Sequence, residues 1–239
     1  MKPKITLVTG GAIRLGAAIC DALAEKGANL AIHYRHHREE AEEIAVQCRR
    51  KGVFAETIAG DFSTVSGVET FLEEYQSRFP DTLNLINNVG NYAVASALET
   101  SVEVWQELFQ VNFLAAMMLI QRLAPGLMKN KGRVVNLGVA GLKTHRASTY
   151  MPAYKALKGA LLAMTQSFAK ELAPLQVTVN MVSPGMLDIA VDAPSDPSKL
   201  TMGRLASCDE VARVVAFLLE PSSGYITGQN IEVAGGVGL

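Results

Sequence analysis

The side chains of this sequence best suited to chemistry lie in three stretches. Tyr154 and Lys158 are four residues apart at the start of an expected helix, so they share one face. An ammonium beside a phenol lowers the phenol's pKa. Such a phenol donates a proton to a carbonyl oxygen as hydride arrives, or accepts one in reverse. The pair arises by chance on many helices and carries weight only in company. The second stretch is Thr9-Gly10-Gly11-Ala12-Ile13-Arg14-Leu15-Gly16, which follows the apolar run Ile5–Val8 and precedes a helix. Gly10 allows a tight turn and Gly16 a close approach of helix to strand. The free N–H groups at the helix start then suit a pyrophosphate, and the strand–loop–helix context favours a dinucleotide over a plain turn.

The third stretch is His33-Tyr34-Arg35-His36-His37-Arg38, after the second β-type run. NAD-binding units carry an acid there for the ribose 2′-OH. Here the first carboxylate is Glu39, already in the next helix. A basic cluster without an acid suits a 2′-phosphate and points to NADP(H). Arg14 adds a further cation, and the alternative is a solvated basic loop. Asp61 stands where an acceptor for the adenine amino group is expected; capping of a helix starting near Ser63 is its other reading. His33, His36 and His37 lack the partner ligands and spacing of a zinc site, so no metal is expected.

The elements that must position these groups alternate along the chain. β-type runs fall at Ile5–Val8, Leu30–His33, Val53–Ile58, Leu83–Ile86, Arg133–Leu137, Val177–Met181 and Asn230–Val233. Helical segments fall at Arg14–Lys26, Arg38–Lys51, Val65–Arg78, Val102–Lys129, Tyr154–Leu172 and Asp209–Leu219. This alternation predicts an α/β fold with a parallel sheet and helices on both faces. Several β runs are continuously apolar, as a sheet covered twice requires. Gly27 and Gly52 mark helix ends. Ser207-x-x-Glu210 is a capping box. Pro174 ends the long helix before it. Asp192–Lys199 reads as a polar surface loop. Helices 113–128 and 156–172 are apolar nearly all round, which predicts a second subunit against them.

The chain has 239 residues, 49% of them hydrophobic and 19% charged, with a formal charge of −1. That fits one large domain spanning 1–239. It offers no field for nucleic acid or an anionic membrane. The run Phe113–Ile120 is too short to cross a bilayer. The first apolar run is too short for a signal peptide. Cys20, Cys48 and Cys208 form neither a disulfide framework nor a metal motif. These features together read as a cytoplasmic protein with reduced cysteines.

Taken in order, Thr9–Gly16, Asp61, Asn87-Asn88-Val89-Gly90, Asn112, Tyr154-x-x-x-Lys158 and Ser183-Pro184-Gly185 resemble the short-chain dehydrogenase/reductase family along the whole chain. The resemblance implies a Rossmann fold with a doubly wound, seven-stranded parallel sheet. It implies Tyr154 as acid/base, Lys158 holding the nicotinamide ribose, and Asn112 fixing a relay water. Cofactor contacts would come from Gly10, Arg14, Leu15, Gly16, His33, Tyr34, Arg35, Asp61, Phe62, Asn88, Gly90, Tyr154, Lys158, Pro184 and Gly185. The two apolar helices would form a homotetramer or dimer interface.

The sequence also departs from that pattern. Val139 stands where the family's catalytic Ser aligns, with Thr144, His145 and Ser148 as the later groups able to swing in. The family's Thr after Pro184-Gly185 is absent, and the lid up to Gly203-Arg204 is short. Arg14, His33-Tyr34-Arg35, Asp61-Phe62-Ser63-Thr64 and 187–194 resemble the pteridine and dihydromonapterin (dihydrofolate) reductases. Tyr92 is that reading's candidate for stacking on a pterin. Asn87–Gly90 is closer to the 3-oxoacyl carrier-protein reductases, which predict a basic surface; Lys129, Lys131 and Arg133 are a candidate patch, or a solvated helix end. The expectation is an NADPH-dependent oxidoreductase of a small carbonyl or imine substrate, with a pterin, a 3-oxoacyl thioester and a weakly catalytic NADPH-binding scaffold all in play.

Overall fold

The computed structural model describes residues 3–144, 147–190, 193 and 196–237. Seven strands form one sheet: β1 (Ile5–Val8), β2 (Asn29–Tyr34), β3 (Ala55–Ala59), β4 (Thr82–Asn87), β5 (Arg133–Leu137), β6 (Thr178–Pro184) and β7 (Asn230–Val233). Their order is β3-β2-β1-β4-β5-β6-β7, parallel throughout. This is the doubly wound Rossmann arrangement. The strand order reverses between β1 and β4, and the crevice there is where such sheets take ligands.

Among the described residues, seven α-helices cover the two faces: α1 (Arg14–Glu25), α2 (Arg38–Arg50), α3 (Val65–Arg78), α4 (Val102–Phe109), α5 (Ala115–Asn130), α6 (Pro152–Leu172) and α7 (Cys208–Leu219). Neighbouring strand residues feed opposite faces. Leu7, Leu85 and Val134 pack with Phe71, Leu119, Leu123 and Ala169 of α3, α5 and α6. Val8, Ile86 and Val135 pack with Ile19, Leu23, Cys48 and Val215 of α1, α2 and α7. Both faces are dry, so the β runs are continuously apolar rather than alternating.

Local signals act as their chemistry dictates. Gly27 and Gly52 follow α1 and α2 with φ of +78° and +87°, the left-handed region that stops a helix. Ser207 and Glu210 exchange both bonds of the capping box at α7. The expected helix Val102–Lys129 is interrupted, because Gln110–Leu114 takes a π-helical turn. Such turns mark functional positions, and Asn112 sits at its centre. By length and composition, Val102–Asn130 could cross a membrane. Here its buried flank belongs to the sheet core. Of the sequence's loop candidates, His145 and parts of 192–199 lie outside the described residues.

A buried polar ladder fixes α6 to the sheet. Asn87 Nδ2 donates to Asn136 Oδ1 at 2.8 Å, and Asn136 Nδ2 donates to Thr165 Oγ1 at 2.8 Å. The Thr165 hydroxyl donates in turn to Leu161 O at 2.7 Å. Replacing the middle member leaves Asn87 Nδ2 without its acceptor and Thr165 Oγ1 without its donor, at about 1–3 kcal/mol for each buried group. Asn136→Leu is therefore expected to lower the unfolding free energy by about 2–4 kcal/mol. Urea denaturation of the two proteins measures it.

Candidate active site

The phosphate loop is assembled by contacts that only small residues allow. Gly10 has φ +61°. A Cβ on Gly16 would lie 1.9 Å from Gly10 O, so α1 starts directly against the loop. Asn88 Nδ2 donates to Thr9 O and Gly10 O, both at 3.0 Å. Thr9 Oγ1 accepts from the backbone N–H of Asn88 and Val89. The loop is thereby tied to the turn after β4. Ile13 gives α1 no side-chain cap, and the first turn has no acid. Its amides and positive dipole end suit a pyrophosphate. Arg14 holds φ +52° at this start, a conformation that favours glycine. Arg14 and Leu15 line the joint between the two halves of the crevice. This uncapped, close-packed cradle fits a dinucleotide.

The adenosine half is a cavity of about 470 Å³ bounded by Tyr34, Arg35, His36, His37, Asp61 and Phe62. His33 requires a correction: it is no cation for a phosphate. It is 2% exposed. Its Nδ1 accepts from Gly10 N–H at 3.0 Å, its Nε2 lies 3.1 Å from Gly60 O, and its ring stacks on Phe62 at 4.2 Å. Nδ1 as acceptor makes Nε2 the proton carrier. Burial holds the pKa down at about 4, so the ring is a neutral brace between two loops. Arg35 stays in the cavity wall, with Nε 3.0 Å from Asp61 Oδ1. Asp61 also accepts from Ser63 N–H. Thr64, not Asp61, caps α3.

At the other end, Tyr154, Lys158, Gly90 and Pro184-Gly185 meet in a cavity of about 400 Å³. α6 carries Tyr154 and Lys158 on one face. Lys158 is 2% exposed. Its Nζ donates to Leu137 O at 2.9 Å and lies 5.5 Å from the Tyr154 ring centroid. Desolvation lowers its pKa to about 8. Burial and the neighbouring Tyr92 phenol push Tyr154 up to about 12. The sequence expectation of a lowered phenol pKa is thus reversed, because desolvation outweighs an ammonium that bonds elsewhere. Tyr154 is a protonated acid at neutral pH.

Asn112 is 1% exposed, and its Oδ1 has no partner among the described residues. A Cβ on Gly90 would sit 2.9 Å from that oxygen and 3.3 Å from Lys158 Nζ. The glycine therefore leaves open the gap that both groups face. Asn112 Nδ2 donates to Leu108 O, Asn91 O and Asn91 Oδ1. Asn91 Nδ2 in turn donates to Glu107 at 2.8 Å. Asn91 was not found by sequence reasoning; its place one residue after Gly90 is the only signal for it.

Val139 lines the cavity where the sequence alignment expects Ser, and its side chain packs toward Leu142, Leu161 and Met181. Of the later candidates, Thr144 and Ser148 are engaged elsewhere, and His145 lies outside the described residues. Thr144 Oγ1 donates to Gly141 O, and Ser148 Oγ accepts from Met151 N–H at the start of α6. Ser183 is committed to Asn230. The short lid is pinned by Asp188 N–H to Ala206 O and Ala206 N–H to Met186 O. Tyr92 stands 6.0 Å from Tyr154, ring to ring.

A family model described as enoyl-(acyl carrier protein) reductase matches residues 11–238. The chain belongs to the short-chain dehydrogenase/reductase family. It is 30% identical to the 3-oxoacyl-[acyl-carrier-protein] reductase FabG of Staphylococcus aureus, over 98% of each chain. Acetoin dehydrogenase from Enterobacter cloacae superposes with TM-score 0.89 at 28% identity, covering 98% of this chain and 95% of that one. A blue fluorescent protein from a metagenomic library, in complex with NADPH, gives 0.90 at 28%, covering 99% and 98%. This short-chain dehydrogenase/reductase is therefore an oxidoreductase of a family that uses NAD(P)(H).

The His33 brace has a pH signature. Its folded pKa, about 4, lies below the ordinary imidazole value of 6.5, so the unfolded chain binds the extra proton in that window. The associated stability is complete above pH 6.5 and is lost as pH falls toward 4. The difference amounts to roughly 3 kcal/mol. Denaturation across this window is expected to show a steeper loss for the wild type than for His33→Phe, which keeps the stacking ring and cannot titrate.

Proposed function

We propose that this protein is an NADPH-dependent reductase of a carbonyl carried on an apolar acyl group, of the 3-oxoacyl thioester type. The observation that carries the reading is one continuous crevice. It runs from the Arg35 loop, past Arg14, to Tyr154 and Lys158. Bound along it, a reduced nicotinamide cofactor supplies the hydride. Tyr154, protonated at neutral pH, gives its proton to the carbonyl oxygen. Lys158 and the open Asn112 Oδ1 flank the gap through which the phenol is reprotonated. Leu15, Val139, Met151, Met186, Ile189 and Leu200 make the substrate wall apolar, which favours an acyl chain.

NADPH over NADH is supported by Arg35, which stands in the adenosine wall and can exchange Asp61 for a 2′-phosphate. The pterin reading retains Tyr92 as an aromatic face. The wall gives a polar pterin few partners, however, which favours the acyl substrate. The basic patch proposed for an acidic carrier does not flank the cavity. Lys129 pairs with Asp81, and Lys131 and Arg133 lie at the start of β5, whereas the site lies beyond its end. The scaffold reading would leave the Tyr154, Lys158 and Asn112 arrangement without a use.

The same proposal includes a cytoplasmic setting, which suits the free cysteines. It also includes self-association through α5 and α6 to a tetramer or dimer. One face of α5 is already filled by the sheet, while Phe109 at the end of α4, at 42%, and Leu175 in the turn after α6, at 47%, remain exposed.

Acetoacetyl thioester and dihydrobiopterin, assayed side by side with NADPH, are expected to give turnover of the thioester. Turnover of the pterin alone would overturn the substrate class, and NADPH binding without turnover of either would favour the scaffold. Tyr154→Phe is expected to bind NADPH normally and lose turnover by at least 100-fold, on the scale of roughly 10²–10⁴ for a positioned acid. Arg35→Ala is expected to weaken NADPH binding by roughly 10-fold or more while leaving NADH binding nearly unchanged, the scale of one charge-assisted contact.

A further inference from the structure

Carbonyl reduction places negative charge on an oxygen, and a second donor beside the proton-giving acid stabilises it. The position aligned with the family's serine is Val139, and Thr144, Ser148 and Ser183 are bonded elsewhere. Among the described residues lining the cavity, the polar side chains are those of Arg14, Asn88, Tyr92, Tyr154 and Lys158. Asn88 is held by Thr9 and Gly10, and Lys158 by Leu137. Arg14 stands at the phosphate loop. Tyr92 remains. Its ring lies 6.0 Å from that of Tyr154, tilted by 58°, and both line the crevice. Among the described residues its hydroxyl donates to no other group, and the residue is 44% exposed. The two phenols thus flank one space, with Tyr154 deeper and Tyr92 nearer the opening.

We propose that the Tyr92 hydroxyl is a further catalytic residue, donating a hydrogen bond to the substrate's carbonyl oxygen in place of the missing serine. The inference rests on the carbonyl-reductase reading above. As the carbonyl carbon gains hydride, the C=O π pair moves onto oxygen, and that oxygen takes one proton, from Tyr154. Tyr92 keeps its own proton. Its O–H shortens the contact as charge grows and relaxes when the alcohol forms. It changes neither the atom nor the electron count. A donor of this kind acts on the transition state more than on the bound ketone, so its loss falls on kcat rather than KM.

The test is steady-state reduction of acetoacetyl thioester by wild type, Tyr92→Phe and Tyr92→Leu, with NADPH affinity measured separately by fluorescence. Tyr92→Phe keeps the ring and removes the donor. It is expected to lower kcat by roughly 100-fold or more, with KM and NADPH affinity little changed, on the scale of a lost oxyanion donor. A trifluoromethyl ketone, which needs less help, is expected to show a smaller loss. Adding Val139→Ser to Tyr92→Phe restores a hydroxyl from the other wall and is expected to recover part of kcat. An active wild type with a fully active Tyr92→Phe overturns the inference alone, and a defect confined to Tyr92→Leu does the same by assigning Tyr92 to packing. A wild type that binds NADPH and reduces no carbonyl overturns the reductase reading together with it.

Discussion

Gly10 is the point on which the rest of the site depends. Its N–H is held by His33, its carbonyl by Asn88, and its far side touches the start of α1 at Gly16. β1, β2, β4 and α1 therefore converge on one residue without a side chain. This makes the cradle rigid before any ligand arrives, and preorganised amides cost little to reorganise on binding. The neutral state of His33 is part of that rigidity, because a protonated ring could not accept from Gly10. Part of a surface-like basic motif has thus become a buried brace, while Arg35 stays in the cavity wall.

The catalytic half shows the same use of burial. Lys158 and Tyr154 lie on one helix face, yet the ammonium turns to Leu137 O rather than to the phenol. Desolvation then decides both pKa values, down for the lysine and up for the tyrosine. The proposed reductase needs an acid that keeps its proton until the oxygen becomes basic, and this environment suits one. The π turn at Gln110–Leu114 rotates Asn112 so that its carboxamide reaches Asn91 and leaves Oδ1 facing the gap beside Gly90.

Most elements were legible because glycine, proline and capping residues punctuate apolar runs; α3 spans Val65–Arg78 as expected. The cofactor loop was legible from its position between β1 and α1. Other features left no such mark. A π turn changes hydrogen-bond register without changing composition. His33 sits at the head of a polar, basic run, so its burial between Gly10, Gly60 and Phe62 depends on contacts distant in sequence. Lys158's partner, a strand carbonyl, is equally invisible to helix spacing. Asn91 gains its meaning only through a helix turn that begins almost twenty residues later.

The most direct measurement is the fate of the transferred hydrogen. NADPH carrying deuterium at the reactive nicotinamide carbon would be incubated with the protein and acetoacetyl thioester, and the product examined by mass spectrometry. The account predicts one deuterium on the carbon that becomes the alcohol. NADPH bound but unspent, with no deuterium in any product, would contradict it.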